Sequence, residues 1–160
     1  MSQPWMDRIP WTLRSVLAGS AGTAALSGAY AVERAARRSP RSTPLDYDDS
    51  DVPGRIVVNI LHLGQVSERE DRELATALRW SYGSLFGLLH GVMRRRVREP
   101  GASVGFAATL LAMTFSLFPL LGRTPPPWRW SRGYVVTCLF THTAYVAAVG
   151  VVDDALRDQS

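Results

Sequence analysis

Four apolar stretches, separated by clusters of charge, constrain this chain more than any other feature. Three carry no charged side chain: 15–32, 101–122 and 133–152, which are 18, 22 and 20 residues long. The fourth, 80–93, is shorter and flanked by arginines. A bilayer core is about 30 Å thick and takes about 20 helical residues to cross. Backbone groups in lipid must be satisfied within the segment, which selects helices. The expected fold class is therefore all-α: an integral membrane bundle of four transmembrane helices with a short interfacial helix in the first loop. A single membrane domain covers 1–160, with spans at about 11–32, 75–94, 101–122 and 133–152 and an extramembrane loop at 33–74.

Composition alone would suit a soluble domain, since the mean hydropathy is near zero. That mean hides the segregation of apolar from charged runs. A soluble amphipathic helix mixes both within one helical period. The net charge of +4 suits juxtamembrane arginines. Because those arginines flank spans rather than line one face, nucleic acid is excluded as a partner. All 18 basic residues are arginine, which reads as the codon bias of a GC-rich bacterial genome and places the protein in a bacterial plasma (inner) membrane. Cys138 is the single cysteine and allows no internal disulfide. The first run resembles a signal peptide, with Ala29-Tyr30-Ala31 as a cleavage-like site. Arg34, Arg37, Arg38 and Arg41 follow at once and resist translocation, so it reads as a retained span.

Local signals place the elements. Trp5, Trp11, Trp80, Trp128 and Trp130 all fall near span ends, where indoles prefer to sit. Residues 38–50 read as irregular, with prolines and an acidic run from Asp46 to Asp51. Pro53 opens the interfacial helix, with Ile56, Val57, Ile60, Leu61 and Leu63 apolar, and Gly64 closes it. Ser67 with Glu70 forms a capping box, so a helix starts there and runs as far as Arg94. This brings the short fourth run to full length and leaves Arg79 to snorkel near the boundary. Pro119 should bend the third span or begin its exit. Thr124-Pro125-Pro126-Pro127 reads as a stiff extended link. Loops one and three hold eleven arginines against seven on the other side, which favours both termini outside. The dense cluster at 94–98 pulls the other way.

Gly83, Gly87 and Gly91 recur every fourth residue in the second span. Such a stripe lets another backbone approach closely, within the chain or at a dimer interface. The first span is nearly all Ala, Gly, Ser and Thr, too weakly apolar to face lipid all round. It is expected to pack on that stripe through Gly19 and Gly22.

Arg79-Trp80-Ser81-Tyr82-Gly83 followed by Phe86-Gly87-Leu88-Leu89-His90-Gly91 resembles the second span of small YagU-like inner-membrane proteins of unknown function. The order of elements is similar too: a small-residue first span ending in Glu33-Arg34, an amphipathic stretch, Pro126-Pro127-Trp128-Arg129, and Thr141-His142-Thr143-Ala144-Tyr145 in the last span. The resemblance implies a four-helix inner-membrane protein and supplies no activity. It departs from the family pattern at Arg79, where a histidine is usual, and near His90, where a tyrosine is frequent.

Candidate polar functional residues are Arg79, Tyr82, His90, Thr141, His142 and Tyr145. Two in-span histidines suggest metal or haem ligands, proton carriers, or cross-helix hydrogen bonds. Their depths differ by about 9 Å at 1.5 Å per residue, too far for one haem. Cys138 and His142 are one helical turn apart, but two ligands make no metal site. Thr137, Thr141 and Tyr145 share one face, as interhelical glue or a polar conduit. No Asp or Glu lies inside a span, since Glu33, Asp153 and Asp154 fall at span ends, which argues against ion-coupled transport. Walker, zinc-protease and triad patterns are absent. No catalytic, cofactor or metal residue is assigned. The expectation is a non-enzymatic structural or accessory protein whose partners are the bilayer and a second copy or another membrane protein. The alternative is a small transporter or channel for protons or a small polar solute.

Overall fold

The described residues form five α-helices and one 3-10 turn. The computed structural model describes residues 9–36, 52–61, 67–122 and 124–157. The helices are α1 (Trp11–Ala36), α2 (Val52–Leu61), α3 (Glu68–Arg94), α4 (Gly101–Leu121) and α5 (Arg132–Arg157). The described residues include no strand. The irregular stretch expected at 38–50, its acidic run and the Gly64 helix stop lie outside the described residues.

Local chemistry explains the helix limits. At the start of α3 the Ser67 hydroxyl accepts the Glu70 N–H, and the Glu70 carboxylate accepts the Ser67 N–H at 3.0 Å. Two orphan donors are thus met at the helix N-terminus. α1 and α5 each extend four or five residues beyond the expected spans, to Ala36 and Arg157. α4 continues two residues past Pro119 before ending at Gly122. The proline link is less extended than its composition suggests. Pro127–Arg129 forms a 3-10 turn, and the Trp130 indole N–H donates to the Pro125 carbonyl at 2.7 Å.

α1 is the central helix. It runs antiparallel to both α3 and α5 and packs along most of their length. Its small residues make this possible. A Cβ on Gly87 would strike the Ser15 carbonyl and the Gly19 backbone, and one on Gly19 would strike the Gly83 and Ser84 carbonyls. The Ser15 side chain occupies the space over Gly91, and Thr23 the space over Gly83. Gly22 faces Tyr145 and Val149 on α5. The α3 stripe is therefore filled by α1 of the same chain, which leaves no open glycine seam for a second copy.

α4 is held more lightly, through its contacts with α5 and α3. Ala18, Phe106, Leu110, Tyr145, Val146 and Val149 form the buried core between the helices. α2 lies against α3 and α4: Val52 is fully buried near Gly122, and the Asn59 amide donates to the Leu121 carbonyl at 3.1 Å.

Two helices, α4 and α5, are long and apolar enough by composition to cross a membrane. α1 and α3 are long enough but fall short in hydropathy. α1 is built from small residues, and α3 begins with a charged segment and carries glycine and serine where the others carry leucine and valine.

Candidate functional site

A cavity of about 270 Å³ is lined by residues of all five helices, most of them from α3 and α4. Four of the six candidate polar residues line it: Arg79, Tyr82, His142 and Tyr145. The wall is otherwise mostly apolar, with Leu26, Phe86, Leu110 and Phe118 from three helices. Pro53 and Ile56 of α2 also line it. The Arg79 guanidinium lies over the Tyr30 ring at 5.8 Å from its centroid, a cation–π geometry.

The polar atoms deep in the cavity are engaged with protein partners. Nδ1 of His142 lies 2.8 Å from the Cys138 carbonyl oxygen, which can only accept, so Nδ1 carries the proton. In the neutral ring Nε2 then accepts from the Thr114 hydroxyl at 3.1 Å. This bond links α5 to α4. The Tyr145 hydroxyl donates to the Gly83 carbonyl at 2.5 Å, linking α5 to α3. Both bonds tie one helix to another.

Thr141 and His90 lie elsewhere. Thr141 is fully buried and donates back to the Cys138 carbonyl at 3.1 Å. Thr137 donates to the Glu33 carboxylate at 3.3 Å. Thr137 and Thr141 of this face therefore bond to a neighbouring helix and to their own backbone, while Tyr145 lines the cavity. His90 sits at the opposite end from Arg79, its ring tilted against Phe106 at 5.3 Å between centroids, with Nε2 3.2 Å from the Glu99 carboxylate. The two histidines share no site.

That opposite end carries a cluster which the placement of acids at span ends left unread. Asp153 is fully buried. Its carboxylate accepts from Arg14 of α1 at 3.0 Å, from Arg94 of α3 at 3.4 Å and from Arg157 of its own helix at 2.9 Å. Arg94 also donates to Asp154 and pairs with Glu99 at 3.5 Å. Glu99 in turn accepts the Ser103 N–H at 3.1 Å and the Ser103 hydroxyl at 2.9 Å, capping the N-terminus of α4. Burial pushes the Glu99 carboxyl up, but the bonds from Ser103 and His90 and the charge of Arg94 outweigh it, and the carboxyl lies below its ordinary value. Four helix ends are pinned together by this network. The sequence signal that could have found it is the i, i+4 pair Asp153 and Arg157 at a helix end.

Among the described residues, no three His, Cys, Asp or Glu side chains gather as a metal-binding group. Cys138 Sγ lies 3.6 Å from His142 Nδ1, but the Cys138 carbonyl takes the proton of that nitrogen. No protein-family model, curated protein or solved structure matches the chain, so the site rests on its own geometry.

Proposed function

We propose that this chain is a multi-pass, non-enzymatic accessory protein of a bacterial plasma (inner) membrane, similar to the YagU-like proteins. In this reading α1, α3, α4 and α5 all cross the bilayer and α2 lies in the interface. The observation that carries it is the seat of α1. A helix too weakly apolar to face lipid all round lies between α3 and α5, with Ala18, Gly19, Gly22 and Thr23 buried. Two of its polar side chains bond within the bundle: Thr23 to the Gly19 carbonyl at 3.0 Å, and Ser20 with Ser84 at 2.9 Å. Such packing lets small-residue helices reside in membranes.

Because α1 fills the glycine stripe, a second copy or a membrane partner would meet the bundle at another face. The cavity is the feature available for an accessory role. A conduit for protons or a small polar solute draws on His142 and Thr114 in the wall. Both nitrogens of His142 are already engaged, so such a solute would have to break those bonds to be coordinated.

Cysteine accessibility tests the topology. In a Cys138→Ser background, single cysteines replace Ser2, Arg38, Arg96 and Trp128 and are treated with a membrane-impermeant maleimide. Four spans put Ser2 and Arg96 on one side and Arg38 and Trp128 on the other. Finding Ser2 and Arg38 on the same side would sink the four-span reading.

A further inference from the structure

We propose that the turn between α3 and α4 binds the headgroups of anionic phospholipids through Arg95, Arg96 and Arg98. The proposal rests on the four-span reading, which puts this turn at a membrane surface, and it names the lipid class that the bundle gathers there.

The charges at this end of the bundle set the three apart. Arg14, Arg94 and Arg157 all reach Asp153, and Arg94 also pairs with Asp154 and Glu99. Those three guanidinium groups and three carboxylates cancel in formal charge. Arg95, Arg96 and Arg98 are exposed, and no carboxylate among the described residues pairs with them. Arg95 is engaged with Trp11, over whose ring it lies at 5.1 Å from the centroid. An indole face carries no net charge, so the contact holds the side chain without neutralising it. The arginine cluster at 94–98 thus gives Arg94 to the interior and turns the other three outward.

The backbone holds the three arginines in one place. The Arg95 N–H donates to the Val92 carbonyl at 3.2 Å, the Arg96 N–H to Met93 at 2.9 Å and the Val97 N–H to Met93 at 2.8 Å. Glu99 caps α4 directly afterwards. Cα atoms three residues apart lie within about 11 Å of each other. Screening acts over about 8 Å at physiological salt, so the three charges act on a headgroup layer together.

The surroundings favour a lipid surface over a soluble acidic partner. Val97, between two of the arginines in the chain, is 47% exposed, and Trp11 lies against Arg95. An apolar side chain and an indole among arginines suit the boundary between headgroups and acyl chains. A guanidinium meets phosphate oxygens with paired N–H donors. Each arginine near an anionic surface strengthens attachment about fivefold.

The test reconstitutes the full chain in phosphatidylcholine vesicles containing a minor fraction of phosphatidylglycerol. The protein is released in a mild non-ionic detergent, and native mass spectrometry counts the lipids it retains. Phosphatidylglycerol should be enriched over its share of the vesicle. Arg98→Gln should lower that enrichment about fivefold at low salt. Arg95→Gln, Arg96→Gln and Arg98→Gln together should abolish it, and lysine at all three positions should keep most of it. Arg69→Gln serves as the control, because Arg69 is 85% exposed but paired with Glu73 at 2.9 Å, and it should change nothing. Parent-level enrichment in the triple glutamine variant overturns the proposal. So does an equal loss in Arg69→Gln, which would make net charge the cause. Millimolar inorganic phosphate that displaces the lipid better than sodium chloride of equal ionic strength would identify a free anion as the ligand and overturn the lipid surface. Enrichment lost in the triple variant, with Ser2 and Arg38 on one side of the membrane, would remove the four-span reading and leave the lipid site.

Discussion

Arg14 near the start of α1 donates to Asp153 near the end of α5 at 3.0 Å, across 139 positions of sequence. The carboxylate side chain is 1% exposed and the guanidinium 13%. A buried acid of this kind is tolerated because Arg94 and Arg157 also reach it. Asp153→Asn leaves three guanidinium groups around a neutral amide. Breaking such a buried pair costs about 3–5 kcal/mol. Thermal unfolding in detergent should show a large fall in midpoint, and a cycle with Arg14→Gln should give a coupling energy well above zero. Additive single effects would contradict a direct pair.

Gly87 and Gly105 make a matched comparison. A Cβ at Gly87 meets the backbone of α1, which can yield only by moving the helix, whereas one at Gly105 meets nothing within 4 Å. Gly87→Ala should destabilise by about 1–3 kcal/mol through overpacking. Gly105→Ala should be neutral or stabilise by up to about 1 kcal/mol, since alanine is the better helix former. Equal effects at the two positions would argue against the α1–α3 contact. Gly87→Leu should disrupt the fold of the single chain, not merely its association.

Glu99 sets a pH dependence at the N-terminus of α4. Its carboxyl is lowered from 4.5 in the fold. A carboxyl with a depressed folded value contributes stability that is present above its unfolded value and is lost as pH falls through the folded one. Stability should therefore drop on acidification below about pH 4.5, the reference for the unfolded group. Glu99→Gln should remove part of that slope while costing stability at neutral pH. A Glu99→Gln unfolding profile that parallels the parent below this point would show that other carboxylates carry the effect.

The capping box predicts a local effect only. Ser67→Ala removes the acceptor for the Glu70 N–H. Fraying of the first turn of α3 should speed amide exchange there roughly fivefold. Exchange at Gly83 and Gly87, buried against α1, should be unchanged. Slower or unaltered exchange in the first turn would show that the cap adds nothing.

What could be read from the sequence was whatever depends on near neighbours in the chain. Ser67 and Glu70 start α3 because the two partners lie within one turn. Glycines every fourth residue form one stripe because the helical period is 3.6, and the small residues of α1 make it a fitting occupant of such a stripe. Apolar length and the absence of charge mark α4 and α5 as able to cross a membrane, which is composition alone.

Tertiary structure decided which side chains meet. His90 and His142 look alike in sequence, yet one faces Glu99 and Ser103 and the other Thr114. That outcome depends on the rotation and depth of α4, which no periodicity specifies. The cavity draws its wall from all five helices, a property of helix packing rather than of any single helix. Asp153 reads as an ordinary helix-end acid until the ends of α1 and α3 bring Arg14 and Arg94 to it. The sequence by itself determined the helices and the small-residue faces, because both follow from local period and composition. The tertiary structure decided the ion cluster, the cavity and the partners of each polar side chain, because these depend on the mutual placement of helices far apart in the chain.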